Sequence, residues 1–66
     1  MFIQVNGTER EVPDGATVTE MLAALGVPGR GVAVAVDGIV VAKTDHDRKV
    51  VPDGAAVEVL TAVQGG

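Results

Sequence analysis

The sequence predicts an α+β domain in which one main helix packs across a mixed sheet of four to five strands. Three observations carry that expectation. Apolar residues alternate with period 2 near both ends of the chain, as they do in half-buried strands. One segment, Thr17–Leu25, instead repeats its apolar residues at helical spacing. Turn-forming pairs and tetrapeptides rich in Asn, Asp, Gly and Pro separate these stretches.

Met1, Ile3 and Val5 share one face of an opening strand, with Phe2 and Gln4 on the other. Asn6-Gly7 follows, and both residues tolerate the positive φ of a type I′ hairpin turn. Thr8–Val12 is the partner strand, polar enough through Glu9, Arg10 and Glu11 to be an edge. Val12-Pro13-Asp14-Gly15 ends it, because proline presets φ and Asp and Gly complete a reversal. In Thr17–Leu25 the residues Val18, Met21, Leu22 and Leu25 fall at i, i+3, i+4 and i+7, on one face. Thr17 with Glu20 has the spacing of a capping box, and Gly26 then Pro28 supply the stop. A helix this short is unstable alone, so its apolar stripe must lie on the sheet.

Val32–Val36 has no polar residue on either face, the pattern of a strand covered on both sides or close to a partner. Asp37-Gly38 turns it into Ile39–Ala42. Lys43–Lys49 is polar and mixed in sign, and reads as an exposed loop. Val51-Pro52-Asp53-Gly54 repeats the earlier turn, and Val57, Val59, Thr61 and Val63 form one face of a last strand. The shared VPDGA at 12–16 and 51–55 is a reused turn rather than a repeat, since a helix follows one copy and a strand the other. This order, with the last strand returning beside the first, is a β-grasp arrangement. It implies a single domain over 1–63 and a flexible Gly-Gly tail at 64–66.

Composition narrows the chemistry. The chain has 66 residues, below the roughly 70–80 at which one core becomes comfortably stable, so a deep catalytic cleft is not expected. Its 47% hydrophobic content, mostly valine and alanine, argues for a compact sheet-rich core of small side chains and against disorder. With no cysteine there is no disulfide, thiolate metal site or thiol nucleophile. A net charge of −4 with five basic residues excludes a general nucleic-acid binder. No apolar run reaches the roughly 20 residues of a bilayer span, and no signal peptide opens the chain, so a cytoplasmic protein without a membrane partner is expected.

Catalytic groupings are nearly absent. His46, the only histidine, lies between Asp45 and Asp47 and reads as a solvated loop residue rather than a base or a metal ligand. The nine carboxylates are scattered. Gly26, Gly29 and Gly31 lack the Lys-Ser/Thr ending of a phosphate loop and follow a helix instead of preceding one. Phe2, Gln4, Glu58, Leu60 and Ala62 project from the face opposite the helix. Of these, Phe2, Leu60 and Ala62 are the candidate partner-docking patch, with Phe2 and Leu60 expected to be neighbours in space. At the C-terminus, Gly65 and Gly66 could thread a tunnel too narrow for any side chain. A carboxylate on such a tip is suited to being fed into another enzyme for activation.

The whole chain resembles the ThiS family, the small sulfur carriers of thiamine biosynthesis. The likeness rests on the opening strand closed by Asn6-Gly7, the Thr17–Leu25 helix, GVAVAVDG at 31–38, PDG at 52–54 and VEVLTAVQGG at 57–66. It implies a ubiquitin-like β-grasp and a protein co-substrate rather than an enzyme. The implied cycle starts with a ThiF-type adenylyltransferase, which uses ATP to adenylate the Gly66 carboxylate, with Gly65 giving access. A sulfur donor system then converts the adenylate to a thiocarboxylate, and a ThiG-type thiazole synthase takes the sulfur to form the thiazole. No cofactor or metal of its own is implied. Two departures stand out: Asp37 replaces a frequent asparagine, a harmless exchange in a turn, and Gln64 stands where some relatives have a third small residue. The alternatives are a carrier for molybdopterin synthesis or tRNA thiolation, or a ubiquitin-like protein modifier.

Overall fold

The computed structural model describes residues 1–61. The expected continuation of the last strand to Val63, the docking candidate Ala62, and the tail 64–66 with Gly65 and Gly66 lie outside the described residues.

Five strands and one helix follow in the expected order, with a 3-10 turn inside the segment expected to be a loop: β1 (Phe2–Val5), β2 (Thr8–Glu11), α1 (Val18–Ala24), β3 (Val32–Val36), β4 (Ile39–Val41), the 3-10 turn (Lys43–Asp45) and β5 (Ala56–Thr61). The strands form one sheet in the order β2-β1-β5-β3-β4. β5 is its central strand, parallel to β1 and antiparallel to β3. The first and last strands of the chain therefore pair, as the β-grasp reading requires. β2 is an edge with all four residues exposed.

Helix α1 starts where the capping box predicts. The Thr17 side chain accepts from the Glu20 amide, and the Glu20 carboxylate accepts from the Thr17 amide. Leu25 caps the other end, and Gly26, at φ 74, takes the left-handed conformation that stops the helix. Val18, Met21 and Leu22 are buried and join Ile3, Val34, Val57 and Val59 in a single core cluster. Burying each such side chain stabilises by about 1.5–3 kcal/mol, which a seven-residue helix cannot obtain from its own hydrogen bonds.

Two expectations about packing change. β3 is covered on one face only: Val32, Val34 and Val36 are buried, whereas Ala33 is exposed and Ala35 half-buried. Its missing polar residues reflect a central position between two strands and alanines on an open face. The second concerns the segment 43–49, which is not a free loop. The amides of the first helical turn lack intrahelical partners, and this segment supplies two of them. Lys49 O accepts from Val18 N–H at 2.9 Å and His46 O from Thr19 N–H at 3.0 Å.

His46 is accordingly only 5% exposed, with Nε2 3.3 Å from Val41 O. The solvated-histidine reading is corrected: this side chain is packed inside the cap that the segment forms over α1. Composition showed seven polar residues but not that their carbonyls would be spent on a helix terminus.

Candidate functional site

The chemistry expected at the C-terminus depends on β5, the strand that leads there. Its two neighbours overlap little along its length. β1 pairs with Ala56 and Val57, and β3 pairs with Val57 through Thr61. Strand β1 thus flanks only the start of β5 and β3 nearly all of it, with the Asn6-Gly7 turn beside the middle of β5 and the Asp37-Gly38 turn beside its first residue.

Those turns contribute side chains as well as reversals. Asn6 and Gly7 have φ 51 and 84, and Asp37 and Gly38 have φ 50 and 83. A main chain that rotates into this region turns its own carbonyl away from the neighbouring strand. At the first turn the Asn6 amide still donates to Val57 O at 2.9 Å. Its carboxamide then replaces the next peptide group: Oδ1 accepts from Val59 N–H at 2.9 Å and Nδ2 donates to Val59 O at 3.0 Å. At the second turn the Asp37 amide donates to Ala56 O at 2.7 Å, and the carboxylate Oδ1 accepts from Ala56 N–H at 2.9 Å. Both flanks of β5 are therefore paired farther than the strands themselves reach.

The face of the sheet opposite α1 carries Phe2 and Gln4 on β1, Glu58 and Leu60 on β5, Ala33 and Ala35 on β3, and Val40 on β4. Leu60 stands opposite Ala33, and Glu58 opposite Ala35, which itself pairs with Val40. The small alanines leave Leu60 (66% exposed) and Val40 (76% exposed) standing above a shallow apolar floor. Phe2 is also exposed, at 51%.

Phe2 and Leu60 are not neighbours, however. β1 and β5 run parallel with Gln4 opposite Ala56, so Phe2 lies level with Gly54, six residues from Leu60. At about 3.3 Å per residue that is roughly 20 Å along the sheet. The expectation failed because alternation reports which face a residue occupies and says nothing of position along the strand.

Among the described residues no three His, Cys, Asp or Glu side chains converge as metal ligands, and no helix is long and apolar enough to cross a membrane. Gly65, Gly66 and Ala62 remain candidates from the sequence, outside the described residues. What the sequence reading missed is the reach of Asn6 and Asp37 to β5. The one available signal was that two otherwise equivalent turns use different polar residues.

Comparison with known proteins places this geometry. The ThiS family model matches residues 3–66. The chain is similar to the crystal structure of a thiamine biosynthesis protein (ThiS) from Geobacter metallireducens, with 38% identity over 100% of both chains and a TM-score of 0.80. It is equally similar to an NMR solution structure of a thiamine biosynthesis protein from the same organism, at 38% identity and a TM-score of 0.80, covering 100% of this chain and 88% of that one. No curated protein matches the chain.

Proposed function

The chain belongs to the ThiS family, and from that premise we propose that it is the sulfur carrier of thiamine biosynthesis, acting as a protein co-substrate. The reactive group in this reading is the carboxylate of Gly66. A carboxylate resists attack by nucleophiles until one oxygen becomes part of a good leaving group. A ThiF-type adenylyltransferase supplies that activation, joining the carboxylate to AMP from ATP with release of pyrophosphate. Sulfur from a donor system displaces AMP, leaving a thiocarboxylate. A ThiG-type thiazole synthase then takes the sulfur and returns the carboxylate. The carrier needs no cofactor of its own, since ATP is bound by the activating partner, and the ATP requirement fits a cytoplasmic setting.

The observation that supports this reading is that the family match runs through residue 66 and so takes in Gly65 and Gly66. The fold agrees with it, because the strand leading to those residues is the central one, paired on both flanks. Lacking side chains, Gly65 and Gly66 allow the terminus into a channel that would exclude alanine. Docking in this reading uses the open sheet face, with Leu60, Phe2 and Ala62 as contacts.

The test is intact mass spectrometry after incubation with a ThiF-type adenylyltransferase, ATP and a sulfur donor. One oxygen of the chain is expected to be exchanged for sulfur, with the change located at Gly66. An unchanged mass with an enzyme that modifies its own carrier overturns the proposal. Isopeptide-linked adducts in cells would instead identify a protein modifier.

A further inference from the structure

We propose that Asn6 is a positioning residue for the reacting terminus, setting through its carboxamide the point at which β5 is released from two-sided pairing. The inference rests on the carrier reading above. It starts from the juxtaposition of Asn6 with Val59, residues 53 positions apart joined by two hydrogen bonds.

In a parallel pair, each residue facing the neighbour donates to one residue and accepts from the residue two farther on. Asn6 N–H serves Val57 O. The next two contacts would be the Asn6 carbonyl to Val59 N–H and the Thr8 amide to Val59 O. The turn at Asn6-Gly7 removes both of those main-chain groups from the ladder. The carboxamide restores them together, because it alone among side chains of this length carries a donor and an acceptor in the spacing of a peptide group. β5 is thereby held from the β1 side up to Val59, two residues beyond the last backbone contact at Val57.

Among the described residues, only β3 lies alongside β5 past Val59, and its register ends with Val32 opposite Thr61. Gly66 lies seven residues beyond Val59, a span of at most about 25 Å when extended. Without the carboxamide, one-flank pairing would begin at Glu58 instead of Leu60. The segment joining the domain to the reacting carboxylate would lose its support two residues earlier. The cost appears when the terminus is threaded into a partner, as ordering entropy that the native strand has already met. Once threaded, the carboxylate occupies the same place, so the chemical step is unaffected. A positioning role of this kind raises KM and leaves kcat unchanged.

The experiment compares the full chain with N6D and N6A. N6D sets a carboxylate oxygen against Val59 O, and N6A removes both bonds without adding charge, which keeps the test available should N6D fail to fold. Amide hydrogen exchange is read at Val59 and at Val36, and pyrophosphate release is followed with a ThiF-type adenylyltransferase. In N6A, exchange at Val59 is expected to be faster by about tenfold or more, with Val36 unchanged, and KM for the carrier to rise about tenfold with kcat within about twofold, as the net loss of two hydrogen bonds implies; N6D, which keeps an acceptor for the Val59 amide, should change both less. Unaltered exchange at Val59 in N6A overturns the clamp. Faster exchange with unaltered KM overturns the positioning role, since a residue that only stabilises the fold lowers the melting temperature without changing KM well below it. Failure of the wild-type chain to release pyrophosphate overturns the carrier reading itself, and the exchange measurement distinguishes that failure from the others.

Discussion

The Asn6-Gly7 and Asp37-Gly38 turns have nearly the same backbone, with φ of 51 and 84 in one and 50 and 83 in the other. Each joins a hairpin that flanks β5, and each sends its first side chain to that strand. They differ in what the strand asks of them. β1 runs parallel to β5, and continuing a parallel ladder past a turn requires both an acceptor and a donor, which Asn6 supplies to Val59. β3 runs antiparallel to β5, and the pair between residues 37 and 56 lacks only an acceptor, because the Asp37 amide already serves Ala56 O. A carboxylate is enough there. Strand direction, which neither dipeptide encodes, decides which of two turn-compatible residues a position can use.

Exchanging the two residues tests this contrast most sharply. N6D should lower stability by about 1–3 kcal/mol, because Val59 O loses its donor and faces a carboxylate oxygen instead. D37N keeps an oxygen for the Ala56 amide and should change stability by no more than about 0.5 kcal/mol. Urea unfolding followed by far-UV circular dichroism measures both, as the chain has no tryptophan or tyrosine to report by fluorescence. Equal losses would mean that the turns demand the same chemistry after all.

A smaller effect, equal at both turns, is expected at the glycines. Gly7 and Gly38 have φ of 84 and 83, and an added Cβ would meet nothing within 4 Å at either. Gly7→Ala and Gly38→Ala should each cost about 1 kcal/mol through backbone strain alone. Unequal unfolding midpoints would show that the backbones differ in a way their dihedrals conceal.

The smallest effect separates the two Val-Pro-Asp-Gly turns, which also share their local form. Gly15 and Gly54 have φ 73 and 78, and Ala16 and Ala55 donate back to Pro13 O and Pro52 O. Only Asp14 meets the N-terminal ammonium, at 2.8 Å. That hydrogen bond, and then the ammonium's charge, hold the Asp14 carboxyl below its ordinary value. The same hydrogen bond raises the amine above 8.0, with partial desolvation opposing it. A lowered carboxylate contributes stability above its unfolded pKa, and that contribution is lost as pH falls through the folded value. A raised amine contributes below its unfolded pKa, and that contribution is lost as pH rises through the folded value. Thermal melts should therefore show a slight fall in Tm at both limits, and D14N should remove this pair's acid-side contribution and lessen the alkaline one, where Glu11 and Asp53 also raise the amine.

Most elements were legible in the residues themselves. Thr17 and Glu20 placed the helix start, Gly26 its end, and the two Asx-Gly pairs their hairpins, because each acts through contacts within about four residues. The candidate site was legible in part. Exposure of Phe2 and Leu60 followed from alternation, but their separation did not, since register is a property of two strands. His46 was read from its charged neighbours, whereas its burial follows from the carbonyls that its segment lends to α1.

The sequence by itself determined the helix, the strands, the turn geometry and the inward faces of β1 and β5, all set by local sterics and by periods of 2 and 3.6 residues. Tertiary structure alone decided that β5 is central, that Phe2 and Leu60 lie at different heights along it, and that Asn6 and Asp37 have different tasks. The physical reason is range. Backbone preference is settled between near neighbours, but a hydrogen bond between residues 6 and 59 exists only once the sheet has brought their strands together.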